Sequence, residues 1–223
     1  MANDMHNLAL VPLARIAPSP VTKTLRRILE AGIDGAGPLP TAKSAAAGHL
    51  GRSRDVDVAI DRLILTHTGL ASAQGFATNI GGIITTAVTL PANIVGLAVV
   101  QVRMLAAIAH LRGYDVGDSR VRTAVVMCLL GDDIGSLIND EHLPSSPMAV
   151  ATAPVFDPEL DHKVAQLVLA GLFSQSSGKR LTVLAGKRVP LLGGGVGAVV
   201  DGYATHRLGQ YAKEAFVARR ALR

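Results

Sequence analysis

Apolar residues recur at helical spacing along most of this chain, and in one stretch they stop alternating with charged ones altogether. From Leu63 to Val102, forty consecutive residues contain no Asp, Glu, Lys or Arg. A helix on a protein surface needs a charged or polar face, and this run barely has one. It must be buried in protein, buried in lipid, or wrapped around something apolar. Its heart is Ala71–Tyr114. Gly81-Gly82 weakens a helix there, and Pro91 removes an amide donor, so a break is expected near Thr89-Leu90. A new helix follows from about Pro91 to Leu111, with Thr89 as its cap and Gly113 as its stop. Gly96, Val99, Arg103, Ala107 and His110 lie roughly on one side of it.

The flanking sequence predicts more helices. Pro12, Pro18 and Pro20 make residues 1–18 a loose arm. Ser19 and Pro20 then open a helix that buries Val21, Leu25, Ile28 and Leu29, ended by Gly32 and Gly35. Residues 34–53, rich in small side chains, read as a flexible linker. Asp55 caps the next helix, in which Val56, Ile60, Leu63, Ile64 and His67 share a stripe. His67 reads as a core histidine, because no metal-type residue stands three or four positions away. Asp118 or Ser119 caps a helix running to Leu130, with Val121, Val125, Cys128 and Leu129 inward and Gly131 as the stop. A short helix and a long surface loop follow. Asp157-Pro158-Glu159 starts another helix, whose buried face is Leu160, Val164, Leu167, Val168 and Gly171. A short helix between Lys179-Arg180 and Lys187-Arg188 precedes a longer one whose glycines, 193, 194, 195 and 197, permit close contact with a neighbour. No strand alternation is convincing. The expected fold is all-α, a compact multi-helix bundle with a broken apolar central helix pair and a Gly-rich C-terminal helix.

Composition sharpens this picture. Charged residues make up 17% of the 223, and aromatic residues amount to four Phe, three Tyr and no Trp. So apolar a chain is not disordered, and so few aromatics count against single-stranded nucleic-acid recognition. Cys128 is the single cysteine and reads as core. The first twenty residues lack the pattern of a secretory signal, so a cytoplasmic address is expected. The net charge of +5 is unevenly spread: Asp115–Asp161 holds nine acids against two bases, and Lys179–Arg223 nine bases against two acids. The two regions either attract each other within the fold or leave the basic one to meet an anionic membrane surface. No nucleic-acid motif accompanies them.

Motifs for chemistry are scarce. Gly193-x-Gly195-x-x-Ala198 matches a dinucleotide fingerprint by letter, without the strand before it or the βαβ rhythm around it. GLFSQSSGKR fails as a phosphate loop. Acid and histidine groups at Asp132, Asp133, Asp140, Glu141 and His142, and at Asp157, Glu159, Asp161 and His162, fall where solvated helix ends are expected. No nucleophile and base are arranged for catalysis. Neither a metal, a cofactor nor an enzymatic activity is expected. Two isolated charges stand out: Arg103 and Asp201 each sit in an apolar helix, where a charge is costly unless paired. They could form an ion pair between the halves of the chain, or anchor a ligand.

The blocks QGFATNIGGIITTAVTLPANI, AAIAHLRGYD, VRTAVVMCLLG and KRVPLLGGGVGAVVDG, in that order, resemble those of the EcsC protein family over roughly Leu25 to Arg219. The resemblance implies a bacterial, mostly helical protein, a single EcsC-like domain over 19–223, and no settled biochemical activity. It supplies no catalytic residues. From the residues themselves the leading expectation is a helical lipid-binding protein. Phe76, Ile80, Ile83, Ile84, Leu97 and Val100 from the central run, with Leu192, Val196 and Val200 from the C-terminal run, would border an apolar cavity for a fatty-acyl chain. Arg103 is the candidate for its carboxylate or phosphate, and Asp201 a further polar group at the site. The alternative is a membrane-associated accessory protein of a transport or secretion system, since Ile80–Val100 is twenty-one uncharged residues long.

Overall fold

The computed structural model describes residues 20–73, 92–131, 133–139, 143, 145–176 and 195–219. Among them the chain is all-α, with nine helices: α1 Pro20–Asp34, α2 Ala42–Ser53, α3 Val56–Ser72, α4 Ala92–Leu111, α5 Ser119–Cys128, α6 Asp133–Asn139, α7 Pro147–Ala151, α8 Pro158–Ser176 and α9 Gly195–Ala215.

Local chemistry sets most of the boundaries. Asp55 Oδ1 accepts from Val58 N at 2.8 Å, Asp118 Oδ1 from Arg120 N at 2.9 Å, and Asp157 Oδ1 from Glu159 N at 2.9 Å. Each acid thus satisfies an amide that the first helical turn leaves free. Gly113 (φ 88°) and Gly131 (φ 58°) close the ends of α4 and α5 in the left-handed region.

α4 is the axis of the bundle. Its Ala98, Val99, Val102, Met104, Leu105, Ala106, Ala107, Ile108 and Ala109 are all fully buried, because α1, α2, α3, α5 and α9 surround it. That is why this helix can be apolar on every side. Ile94–Leu111 is long and apolar enough to cross a membrane, and 72% of it is buried within the fold, the setting of a core helix. The first part of the expected span, Ile80–Pro91, lies outside the described residues.

Three expectations are corrected. Residues 42–53 are not linker but α2, with Thr41 Oγ1 accepting from Ser44 N at 3.0 Å as its cap. Alanine is the best helix former, and Ala42, Ala45 and Ala46 let α2 lie close against the core. Gly32 does not end α1 but seats it: a Cβ there would stand 2.6 Å from Val102 Cγ1 and 3.1 Å from the Val99 carbonyl oxygen. The loop before α8 contains α7, whose Pro147, Val150 and Ala151 are buried, and it packs on α5.

α9 runs antiparallel to α3. Gly209 faces Ile64, where a Cβ would approach Cγ1 to 2.8 Å, and Gly202 faces Ser72. Lys213 Nζ meets Asp61 Oδ1 at 2.6 Å. Gly202 and Gly209 thus make close helix contacts in α9. Gly193 and Gly194 lie outside the described residues, and 195 and 197 fall in the first turn of α9. α4 runs parallel to α9, with Gln101 Nε2 donating to Thr205 Oγ1 at 3.1 Å and Arg219 N to the Arg112 carbonyl at 2.9 Å. Hence α3 ends, and α4 and α9 begin, at one pole. The opposite pole is pinned by Tyr114, which donates to the Val217 carbonyl at 3.0 Å and meets Phe216 edge-on at 5.2 Å, under the Arg219 guanidinium.

Candidate functional site

At the junction of α2, α3 and α4, the charged groups that act on His49 and His67 are, among the described residues, all basic. Arg103 projects from the middle of α4 and is 8% exposed. His67, on the inner stripe of α3, is 1% exposed. His49 comes from α2 and is half-buried, and the nearby charges acting on it are Arg52, Arg62 and Arg103, all cationic.

Arg103 has no hydrogen bond to Nε, and among the described residues no Asp or Glu pairs with it. Burial lowers its pKa from the ordinary value. A guanidinium starts high enough to remain a cation nonetheless. The expected pair with Asp201 does not form. Asp201 is half-buried at the start of α9, where burial raises its carboxyl above the usual range. The physical reason is placement around α4: Gln101, not Arg103, is the residue that faces α9. At helical spacing, two residues on lies about 200° around the cylinder.

His67 Nδ1 lies 2.8 Å from the Leu63 carbonyl oxygen. A carbonyl only accepts, so Nδ1 carries the proton and Nε2 of the neutral ring is a bare lone pair. That Nε2 is buried without a partner, as is Thr68 Oγ1 one residue along. Burial lowers the His67 pKa to about 4, reinforced by Arg103 and His49 and opposed by the Leu63 bond. Unsatisfied buried polar atoms are rare, each costing about 1–3 kcal/mol. Two such atoms, Arg103 Nε on α4 and His67 Nε2 on α3, belong to groups whose charges act on each other, and they mark this junction.

Elsewhere Arg112 Nε is likewise buried without a partner, although the same guanidinium reaches Asp57 Oδ1 at 2.8 Å through its terminal nitrogen. An open groove of about 440 Å³ lies between α1, α5 and α8, with Leu25, Leu29, Val126 and Phe156 among its walls. Its Arg122 bonds Asp34 at 3.2 Å and the Val116 carbonyl at 3.0 Å, its Arg26 meets Glu30 at 3.4 Å, and its Asp161 accepts from Thr123 Oγ1 at 2.6 Å. Of the expected attraction between the acidic middle and the basic end, the described residues show Arg219 lowering the Asp118 pKa, while Lys179, Arg180, Lys187 and Arg188 lie outside them. Lys213 goes to Asp61 and Arg112 to Asp57, both on α3, while Asp118 holds Arg120 and Asp115 lies 3.8 Å from Lys43. Among the described residues no group of three or more His, Cys, Asp or Glu side chains is placed to hold a metal. Cys128 is fully buried, and burial pushes its thiol pKa up.

Of the expected cavity residues, Val100 is buried and Leu97 half-buried in α4, whereas Val200 is 37% exposed on α9. Phe76, Ile80, Ile83, Ile84 and Leu192 lie outside the described residues, and Val196 falls in the first turn of α9. Sequence reasoning missed His49 because it sat in the supposed linker, and it set His67 aside as a satisfied core residue. The one available signal was that His67 is followed by Thr68 and faces a helix with a single charge.

No family model matches the chain, and neither does any curated protein or solved structure.

Proposed function

We propose that this chain is a non-enzymatic helical binding protein for an apolar ligand with an anionic head, a fatty acid or a similar lipid, whose carboxylate or phosphate is received by Arg103. The observation that carries the reading is the burial of Arg103 without a carboxylate partner among the described residues, in a corner where the charges acting on His49 are all positive. Taking a cation out of water costs several kcal/mol unless an opposite charge compensates. The charge-free run that begins in α3 and continues into α4 provides the apolar surroundings that an acyl chain needs. The resemblance to the EcsC family is compatible with such a protein, and membership in that family is part of the proposal.

Native mass spectrometry of the purified chain tests the reading. The expected result is a bound mass of a few hundred daltons, or stoichiometric uptake of added dodecanoate. Bare polypeptide that takes up none overturns it.

Association with an anionic membrane surface is a second reading, compatible with the first. Val199 is 71% and Tyr203 64% exposed near the start of α9, at the pole where the chain leaves α3 and re-enters α4. The basic pairs Lys179-Arg180 and Lys187-Arg188 precede α9 in sequence. Release from membranes by high salt is the expected behaviour, and a requirement for detergent would mean insertion instead.

A further inference from the structure

Arg103 is not the only group at the α2–α3–α4 junction with an unused bonding site. His67 Nε2 is sealed from solvent and has no partner, while Nδ1 is held by Leu63, so the ring's orientation is fixed. In the neutral ring Nε2 can only accept, and an oxyanion offers no proton for it. Protonated, the same atom becomes a donor within reach of the Arg103 charge, which already acts on the ring. Two donors on adjacent helices, α3 and α4, are the arrangement that holds an oxyanion in a water-poor site.

We propose that His67 completes the head-group site of Arg103, so that an oxyanion-headed apolar ligand binds together with one proton taken up at Nε2. The inference rests on the apolar-ligand reading above and adds its regulation: acidification tightens binding and rising pH releases the ligand.

The surroundings make this linkage one-directional. The ionisable groups acting on His67 are Arg103 from α4 and His49 from α2, with Arg52 and Arg62 acting on His49 in turn. α9, on the other flank of α3, carries Asp201, His206, Arg207, Lys213 and Glu214. Of these, Lys213 is engaged by Asp61, and Asp201 adjoins Gly202 at the level of Ser72. With cations close by and burial complete, the empty site keeps the ring neutral, at a pKa of about 4. An anion in contact with a titrating group moves its pKa by about 1–3 units towards the charged form. Between the empty and the occupied values, binding takes up a proton and the affinity changes about tenfold per pH unit.

The test uses decanesulfonate, whose head group stays anionic throughout the range, so that any proton taken up belongs to the protein. Isothermal calorimetry of the full chain at pH 5.5 and pH 8, in buffers of different ionisation enthalpy, reads both affinity and proton count. Expected are an uptake approaching one proton at pH 5.5, near zero at pH 8, and binding on the order of tenfold tighter at the lower pH. His67→Gln is expected to bind at the pH 8 level throughout and to take up no proton, while His49→Gln keeps the uptake. If the His67 variant fails to fold, the wild-type proton count decides alone. Binding with no proton uptake overturns the inference and leaves the lipid reading intact. Failure to bind either decanesulfonate or dodecanoate at any pH overturns the lipid reading and the inference with it. Methanesulfonate binding as tightly as decanesulfonate removes the apolar ligand while leaving the proton link standing.

Discussion

α4 carries two large polar side chains near its middle, Gln101 and Arg103, and the fold treats them differently. Gln101 turns towards α9, where its amide donates to Thr205, a residue buried completely. Arg103 lies elsewhere on the cylinder, and its charge acts on His49 of α2 and His67 of α3, lowering the pKa of both. The first contact is closed: donor and acceptor satisfy each other and a helix pair is registered by them. The second is open, because every group there is a cation, a neutral ring or an unused lone pair. A structural role explains the first completely. It does not explain the second, since a core built for stability alone would place an acid or an apolar side chain opposite Arg103.

The largest effect expected from this difference concerns pH. His67 has a folded-state pKa of about 4 against an ordinary value of 6.5, so it binds its proton more readily unfolded than folded. The unfolded chain therefore gains stability as pH falls below 6.5, and the loss is complete once pH passes the folded value. At about 1.4 kcal/mol per unit the open corner costs about 3 kcal/mol between pH 7 and pH 4. Urea unfolding at several pH values measures this. Because ordinary carboxylates titrate at the acid end, the comparison is with His67→Gln, which should flatten the profile between pH 6.5 and 4.5.

Next comes the cation itself. Arg103→Met keeps much of the packed aliphatic stem and removes the buried charge. Without ligand the variant should be more stable by about 2 kcal/mol in urea unfolding, and it should lose uptake of dodecanoate. Loss of stability instead would mean that Arg103 is satisfied within the fold, and the contrast with Gln101 would disappear.

The closed contact should respond in the opposite way. Thr205→Val leaves Gln101 without its acceptor and should destabilise by about 1 kcal/mol without changing ligand uptake. The double variant Gln101→Leu with Thr205→Val should recover part of that loss. The smallest effect belongs to the surface: Lys213→Ala breaks a partly exposed pair with Asp61 and should cost no more than about 0.5 kcal/mol at ordinary salt.

Features governed by neighbours in sequence were legible in advance. Asp55, Asp118 and Asp157 cap the helices they were expected to cap, and Gly113 and Gly131 end theirs, because such motifs need only a few consecutive residues. The helical class followed from periodicity. α2 was missed because alanine, glycine and serine in mixture suit a linker as well as a helix that packs closely. Gly202 and Gly209 went unnoticed for a related reason: nothing in a glycine says which helix will lie against it until α3 is in place. Arg103 was legible as an anomaly of charge, but its partner was not. Pairing it with Asp201 matched two misfits by character, when the direction each faces depends on the arrangement of five surrounding helices.

The seam between Tyr114 and Phe216 has a practical consequence. With no tryptophan and three tyrosines in the chain, near-ultraviolet light is absorbed at few places, and they lie in unlike surroundings. Tyr114 is buried against an aromatic ring, Tyr211 is half-buried, and Tyr203 is open to solvent at the other end of α9. Circular dichroism near 280 nm should therefore be dominated by the rigid ring at Tyr114, whereas iodide should dim the emission of Tyr203 first. The two ends of the long last helix can thus be watched separately, without adding a label.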